Sequence, residues 1–117
     1  MREVLKKLNT VAGVKGSLVV TPDGIVVTAE LSAELDEDVT AALVGNVVTQ
    51  TVRLLGIGRY ESMERMILTA SRGKIVIANL ESCHLVVVTN QFINLDLTLL
   101  EISSAAKRIR ELGVLSV

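Results

Sequence analysis

The stretch from Asp36 to Gly58, DEDVTAALVGNVVTQTVRLLGIG, constrains the fold most strongly. It has no proline and no turn dipeptide before its end, and its length suits a helix of about five turns. It is apolar around most of its circumference, and small residues recur four apart at Ala41, Gly45 and Thr49. A helix with one apolar stripe packs on its own core. A second, small-residue stripe implies a second close neighbour. A glycine inside a helix costs about 1 kcal/mol relative to alanine, so close approach must repay it. Two neighbours fit: this chain's own sheet, or a symmetry-related helix from a second copy. The residues leave both open. The many Val and Thr argue against helix, but a run this long without a turn signal is too long for a strand. Ser32 or Asp36 supplies the N-cap, Glu37 and Asp38 suit the positive end of the dipole, Arg53 falls in the last turn and Gly56 is the expected stop.

The flanking segments divide cleanly. Arg2 to Asn9 places Val4, Leu5 and Leu8 on one face of a short helix that ends before Gly13. Ser17 to Thr21 reads as a strand, Thr21-Pro22-Asp23-Gly24 as a turn, and Ile25 to Leu31 as the returning strand. After the long helix, Tyr60 to Ala70 reads as a strand. Ser71-Arg72-Gly73-Lys74 is a hairpin turn, Lys74 to Leu80 a strand, and His84 to Asn90 the last strand. Asn94 caps a helix from Leu95 to Leu112, with Gly113 as its stop. Strands joined by tight turns are antiparallel neighbours. The expected fold is α+β, a single domain over 1–117 with a five-stranded antiparallel sheet, helices on both faces and the order αββαβββα.

Half of the residues are hydrophobic but only 2% are aromatic, so the core is built from Val, Leu, Ile and Ala. A sheet covered on both faces hides part of that excess, and a contact with another chain hides the rest. The net charge is −1, no basic run exceeds Lys6-Lys7, and one Tyr and one Phe make no base-stacking platform. Nucleic acid is therefore not an expected partner. Cys83 is the only cysteine, which excludes an internal disulfide and fits a reducing cytoplasm. The N-terminal residues show no secretory signal. The most apolar region, Ile75 to Leu100, is broken by polar residues well short of a bilayer span, so membrane insertion is not expected.

Catalytic readings fail for lack of parts. His84 is the only histidine, which rules out a multi-histidine metal site. Cys83 precedes it directly, and neighbours on a strand point to opposite faces, so no thiol–imidazole pair forms. Gly13-Val14-Lys15-Gly16 and Gly56-Ile57-Gly58-Arg59 each precede a strand, whereas a phosphate cradle needs a strand, then glycines, then a helix N-terminus. Glu34, Asp36, Glu37 and Asp38 lack the calcium-loop spacing and read as a charged helix start. No catalytic residue, metal or cofactor is expected.

Several local patterns recur in one order. They are the Leu5…Leu8 helix, Gly13-Val14-Lys15-Gly16 leading into a strand, the Asp23-Gly24 turn and the Asp38…Ala41-Ala42 helix start. They continue with Ile67-Leu68 before Ser71-Arg72-Gly73, the apolar Leu85 to Val88 strand, and Asn94…Glu101 opening the last helix. In that order and spacing the chain resembles the roadblock / dynein light-chain family, and within it the small bacterial MglB-like proteins. The resemblance implies a dimer, homo- or heteromeric, in which the second helix and third strand pair across a two-fold axis and two sheets become one. It implies a non-enzymatic scaffold or regulator of a small Ras-like GTPase, extending to a GTPase-activating partner that supplies no arginine finger. Carried over, the dimer interface would use Ala41, Val44, Gly45, Val48 and Val52 of the helix, and Met63, Arg65 and Ile67 of the strand. Asn46, Gln50 and Arg53 would face solvent or the partner GTPase. The chain ends at Val117, sooner after the final helix than longer MglB-like proteins do, which weighs the scaffold role above GTPase activation. The alternative from another class is a small-molecule sensory domain with a Val/Leu-lined interior.

Overall fold

The structure, a computed structural model, describes residues 1–115, with side chains through residue 113. The chain runs α1 (Arg2–Leu8), β1 (Val14–Val20), β2 (Val26–Glu30), α2 (Glu37–Ile57), β3 (Arg65–Ala70), β4 (Gly73–Asn79), β5 (His84–Asn90) and α3 (Leu95–Leu115). This is the expected αββαβββα order. All strand pairs are antiparallel, in one five-stranded sheet of order β2-β1-β5-β4-β3.

The β1–β2 turn forms where the Thr-Pro-Asp-Gly signal put it. The Thr21 hydroxyl donates to Asp23 Oδ1 at 2.6 Å and accepts from the Ile25 amide at 2.9 Å. The hairpin then joins the β3–β4–β5 meander along β1 and β5, from Val14 opposite Thr89 to Val20 opposite His84. That junction leaves β2 and β3 as the two edges of the sheet. The connection between them must cross the full width, roughly 19 Å for four interstrand spacings. A helix with the 21 residues of α2 spans roughly 32 Å, which is enough.

Alternation along the strands sorts the core into two layers. Val19, Val76, Ala78, Leu85 and Val87 face α1 and α3, where they meet Leu5, Leu8, Ile102 and Ile109. Leu18, Val20, Ile77 and Val86 face the other way and meet Ala41, Val44 and Val48 of α2. Helices therefore cover both faces.

Several boundaries depart from the sequence reading. β3 begins at Arg65, not Tyr60, because Arg59 and Glu61 adopt positive φ (59° and 70°) and interrupt any extended run. α2 passes through Gly56 to Ile57 and is capped at Gly58, so Arg53 lies before its last turn. α3 likewise continues past Gly113 to Leu115. A Cβ on Gly56 or Gly113 would meet nothing within 4 Å, so neither glycine is demanded by sterics and neither ends its helix. Asp36, not Ser32, caps α2: its Oδ1 accepts from the Val39 amide at 2.9 Å. Asp36→Ala should therefore lower stability by about 1 kcal/mol in a urea titration, whereas Ser32→Ala should leave it unchanged.

Candidate interaction surface

The inner face of α2 decides between the two readings of its small residues. Ala41, Val44, Gly45 and Val48 are buried against this chain's own sheet. A Cβ on Gly45 would lie 2.7 Å from Gly24 Cα and 2.8 Å from Gly24 N. Gly24 itself has φ +89°, a conformation that side chains disfavour, and a Cβ there would press on the Ala41 carbonyl at 3.0 Å. The two glycines let the helix backbone rest on the β1–β2 turn. Thr49 turns its hydroxyl back onto the Gly45 carbonyl at 2.8 Å. Ala41, Val44, Gly45 and Val48, expected at a dimer interface, thus meet this chain's own sheet within the protomer. These residues are spent inside the protomer, because α2 must cross directly over the hairpin on its way between the sheet edges.

The opposite side of α2 is free and apolar. Val39, Leu43, Leu54 and Ile57 are 57%, 61%, 68% and 82% exposed, and Val47 lies between them. Asn46, Gln50 and Arg53 share this outward side and are exposed. By length and hydropathy alone α2 would pass for a bilayer span, yet its inner face is committed to the sheet. Large apolar side chains concentrated on one flank mark a contact surface. The signal was present in the sequence as the Val39–Leu43–Val47 spacing of four, but the small-residue stripe on the inner side drew the interface assignment to itself.

The strand half of the expected interface is mixed. Met63 precedes β3 and is buried in the α2-side core, so it is not available at the surface. Arg65 opens β3 and is exposed, and Ile67 is half-buried against the α1–α3 core. Leu68, on the α2 face, is 40% exposed. Among the described residues β3 pairs only with β4, so the amides and carbonyls along its outer edge have no ladder partner. The Thr51 hydroxyl reaches Met66 Sδ at 3.5 Å, which brings the C-terminal half of α2 over this same edge. Val52 is 48% exposed and lines an open cleft of about 410 Å³ with Pro22, Arg53, Met63 and His84.

Cys83 and His84 part as strand geometry requires. Cys83 packs against the α1–α3 core, and burial pushes its thiol up from the ordinary value. His84 is 5% exposed on the α2 side, and its Nδ1 has no hydrogen-bond partner. Burial lowers its pKa from the ordinary 6.5, against a smaller upward pull from the Cys83 backbone. The unfolded chain therefore binds this proton more readily than the folded one. Stability is expected to be full above pH 6.5 and to fall as pH drops from there toward the lowered folded-state value. His84→Leu should flatten that slope between pH 7 and the onset of carboxylate titration, as read by urea denaturation at each pH. An unchanged slope would show that His84 is not its source.

The acidic residues at the start of α2 have structural employment. Asp36 caps the helix, and Glu34 pairs with Lys15 at 4.0 Å. No group of three or more His, Cys, Asp or Glu side chains among the described residues could hold a metal ion.

Against this geometry the relatives are consistent. An uncharacterized Methanocaldococcus jannaschii protein, MJ1340, is 29% identical over 110 residues, covering 92% of this chain and 94% of its own length. A Roadblock/LC7 domain from Streptomyces avermitilis superposes with a TM-score of 0.87 at 15% identity, over 97% of this chain and 98% of that one. Myxococcus xanthus MglB superposes with a TM-score of 0.92 at 18% identity, over 98% and 88% of the two chains. Identities this low establish a shared fold. The model of the Roadblock/LC7 domain matches residues 1–89, through the hairpin, the crossing helix and nearly all of the meander, and the chain belongs to that family.

Proposed function

We propose that this protein is a homodimeric, non-enzymatic regulator of a small Ras-like GTPase, acting as a scaffold or as a GTPase-activating partner without catalytic residues of its own. The observation that carries the reading is the apolar outer flank of α2, Val39, Leu43, Val47, Leu54 and Ile57, with the unpaired edge of β3 close by. Pairing with a second copy covers both at once. Two α2 helices bury each other's flanks, and β3 against β3 satisfies the open edge. In this arrangement Val52, Arg65 and Ile67 lie at the margin of the contact. Asn46, Gln50 and Arg53, the polar members of the outward side, are the candidates for the GTPase or for the rim of the dimer. The regulatory half of the reading is supported by membership of the Roadblock/LC7 family and by the fold shared with MglB.

Two measurements test the two halves. Sedimentation equilibrium is expected to give twice the mass of the 12.6 kDa chain. GTP turnover by a Ras-like GTPase from the same organism is expected to change, or its complex to persist on gel filtration, when the dimer is added. A monomer at high concentration defeats the first half. A dimer that neither binds nor alters any such GTPase of its organism defeats the second.

A further inference from the structure

The layer between α2 and the sheet is not filled to its end. Val52 follows Val48 by four residues on the same stripe of the helix, yet it is 48% exposed where Val48 is 4%. Beneath this part of α2 lies the open cleft of about 410 Å³. Pro22 of the β1–β2 turn and Val52 line it, Val48 and Met63 close it toward the α2-side core, and Thr49, Ser62 and Asn79 also border it.

Two of the polar groups bordering the cleft are satisfied within the protomer. The Thr49 hydroxyl donates to the Gly45 carbonyl at 2.8 Å. The Asn79 side chain donates to the Met63 carbonyl at 2.7 Å and accepts from the Glu81 amide at 2.8 Å. His84 differs. It lines the cleft, it is 5% exposed, and its Nδ1 has no hydrogen-bond partner. The Cys83 backbone pulls on the ring, but not at hydrogen-bonding geometry to Nδ1. A buried nitrogen without a partner has lost its hydration without replacement, and native structures leave few such groups incomplete. Burial lowers the pKa of the ring from 6.5, so the imidazole is uncharged at neutral pH. Exposed Arg53 and Glu81 bring opposite charges to the lining, which therefore carries no net charge.

We infer that this cleft binds a small, uncharged, mainly apolar molecule with one hydroxyl group, and that the hydroxyl meets His84. The volume falls in the range of small-molecule sites, and apolar walls with a single placed polar group are their usual make-up. A neutral imidazole has one donor and one acceptor nitrogen, and a hydroxyl matches either. An ion would gain little, because Arg53 and Glu81 offset each other. Val52 and Arg53 form the side of the cleft nearest the proposed dimer contact, whereas Pro22, Met63 and His84 lie beneath the helix. The site is complete within one protomer and does not rest on the dimer.

Phenol and toluene test this, since they share a shape and differ by a hydroxyl in place of a methyl. His84 is the only histidine, so its imidazole nitrogens give an unambiguous NMR signal. At neutral pH phenol should shift that signal and the Val52 and Met63 amides saturably, with a Kd of about 1 mM. It should bind more tightly than toluene, although toluene is the more hydrophobic. His84→Leu, followed by the amides, should weaken phenol about fivefold and leave toluene unchanged or tighter. Val52→Trp, at a half-exposed position, should fill the cleft and abolish binding of both. Leu43→Asp with Leu54→Asp should bind phenol as the parent does, whether or not the parent is a dimer. Absence of a saturable shift with phenol, tighter binding of toluene by the parent, or equal phenol binding by His84→Leu would overturn the assignment.

Discussion

Gly45→Leu is expected to abolish folding of the domain. The nearest atoms to a Cβ at this position are backbone: Gly24 Cα, Gly24 N and the Asp23 carbonyl carbon, at 2.7, 2.8 and 3.1 Å. None belongs to a flexible side chain that could swing away. The helix would have to lift from the β1–β2 turn and take Ala41, Val44 and Val48 out of the core with it. Gly45→Ala isolates the effect. Alanine gains about 1 kcal/mol of helix propensity, yet the overlap should turn this into a net loss of about 3 kcal/mol, at the upper end for overpacking. The leucine variant should lose more than about 4 kcal/mol, a large part of the stability of a small domain. Far-UV circular dichroism and urea titration read both. A leucine variant with parental stability but impaired self-association would mean that Gly45 faces a second copy after all.

The second large effect lies on the other side of the same helix. If the proposed dimer forms through the outer flank of α2, Leu43→Asp combined with Leu54→Asp is expected to yield monomer while leaving the protomer folded. Both leucines are more than half exposed in the protomer, so each substitution alone should change its stability by about 0.5 kcal/mol at most. At a two-fold contact every substitution occurs twice, placing four carboxylates against apolar surface. Desolvating unpaired charge is costly enough that the dissociation constant should rise about 1000-fold or more. Sedimentation across a concentration series measures this, with circular dichroism as the check on folding. A variant that remains dimeric at parental affinity removes α2 from the interface. The pair of experiments separates the two faces: Gly45 tests the inner one through stability, Leu43 and Leu54 the outer one through association.

What the sequence by itself determined was local. The Thr21-Pro22-Asp23-Gly24 turn is carried by a proline-preset φ, an Asp–hydroxyl contact and a glycine at positive φ, all within four residues. The meander around Ser71-Arg72-Gly73 and the apolar period of α3 are equally short-range, as is the separation of Cys83 from His84 by strand alternation. For that reason element order, fold class and the absence of a thiol–imidazole pair were legible. The errors at Tyr60, Gly56 and Gly113 also have local causes. Positive φ at Arg59 and Glu61 has no composition signal in non-glycine residues, and a glycine that meets nothing need not end a helix.

The face of α2 that meets the sheet was decided only by tertiary structure. An apolar sequence all round a helix supports burial of either side, and its periodicity carries no information about which. The answer depended on β5 pairing with β1, a contact between residues some seventy positions apart. That pairing made β2 and β3 the edges and sent α2 across the hairpin. It set Gly45 on Gly24 and turned Leu43 and Leu54 outward. The same long-range pairing left β3 at an open edge of the sheet, since hydrogen bonds between distant strands, not the order of residues along the chain, determine which strands become neighbours.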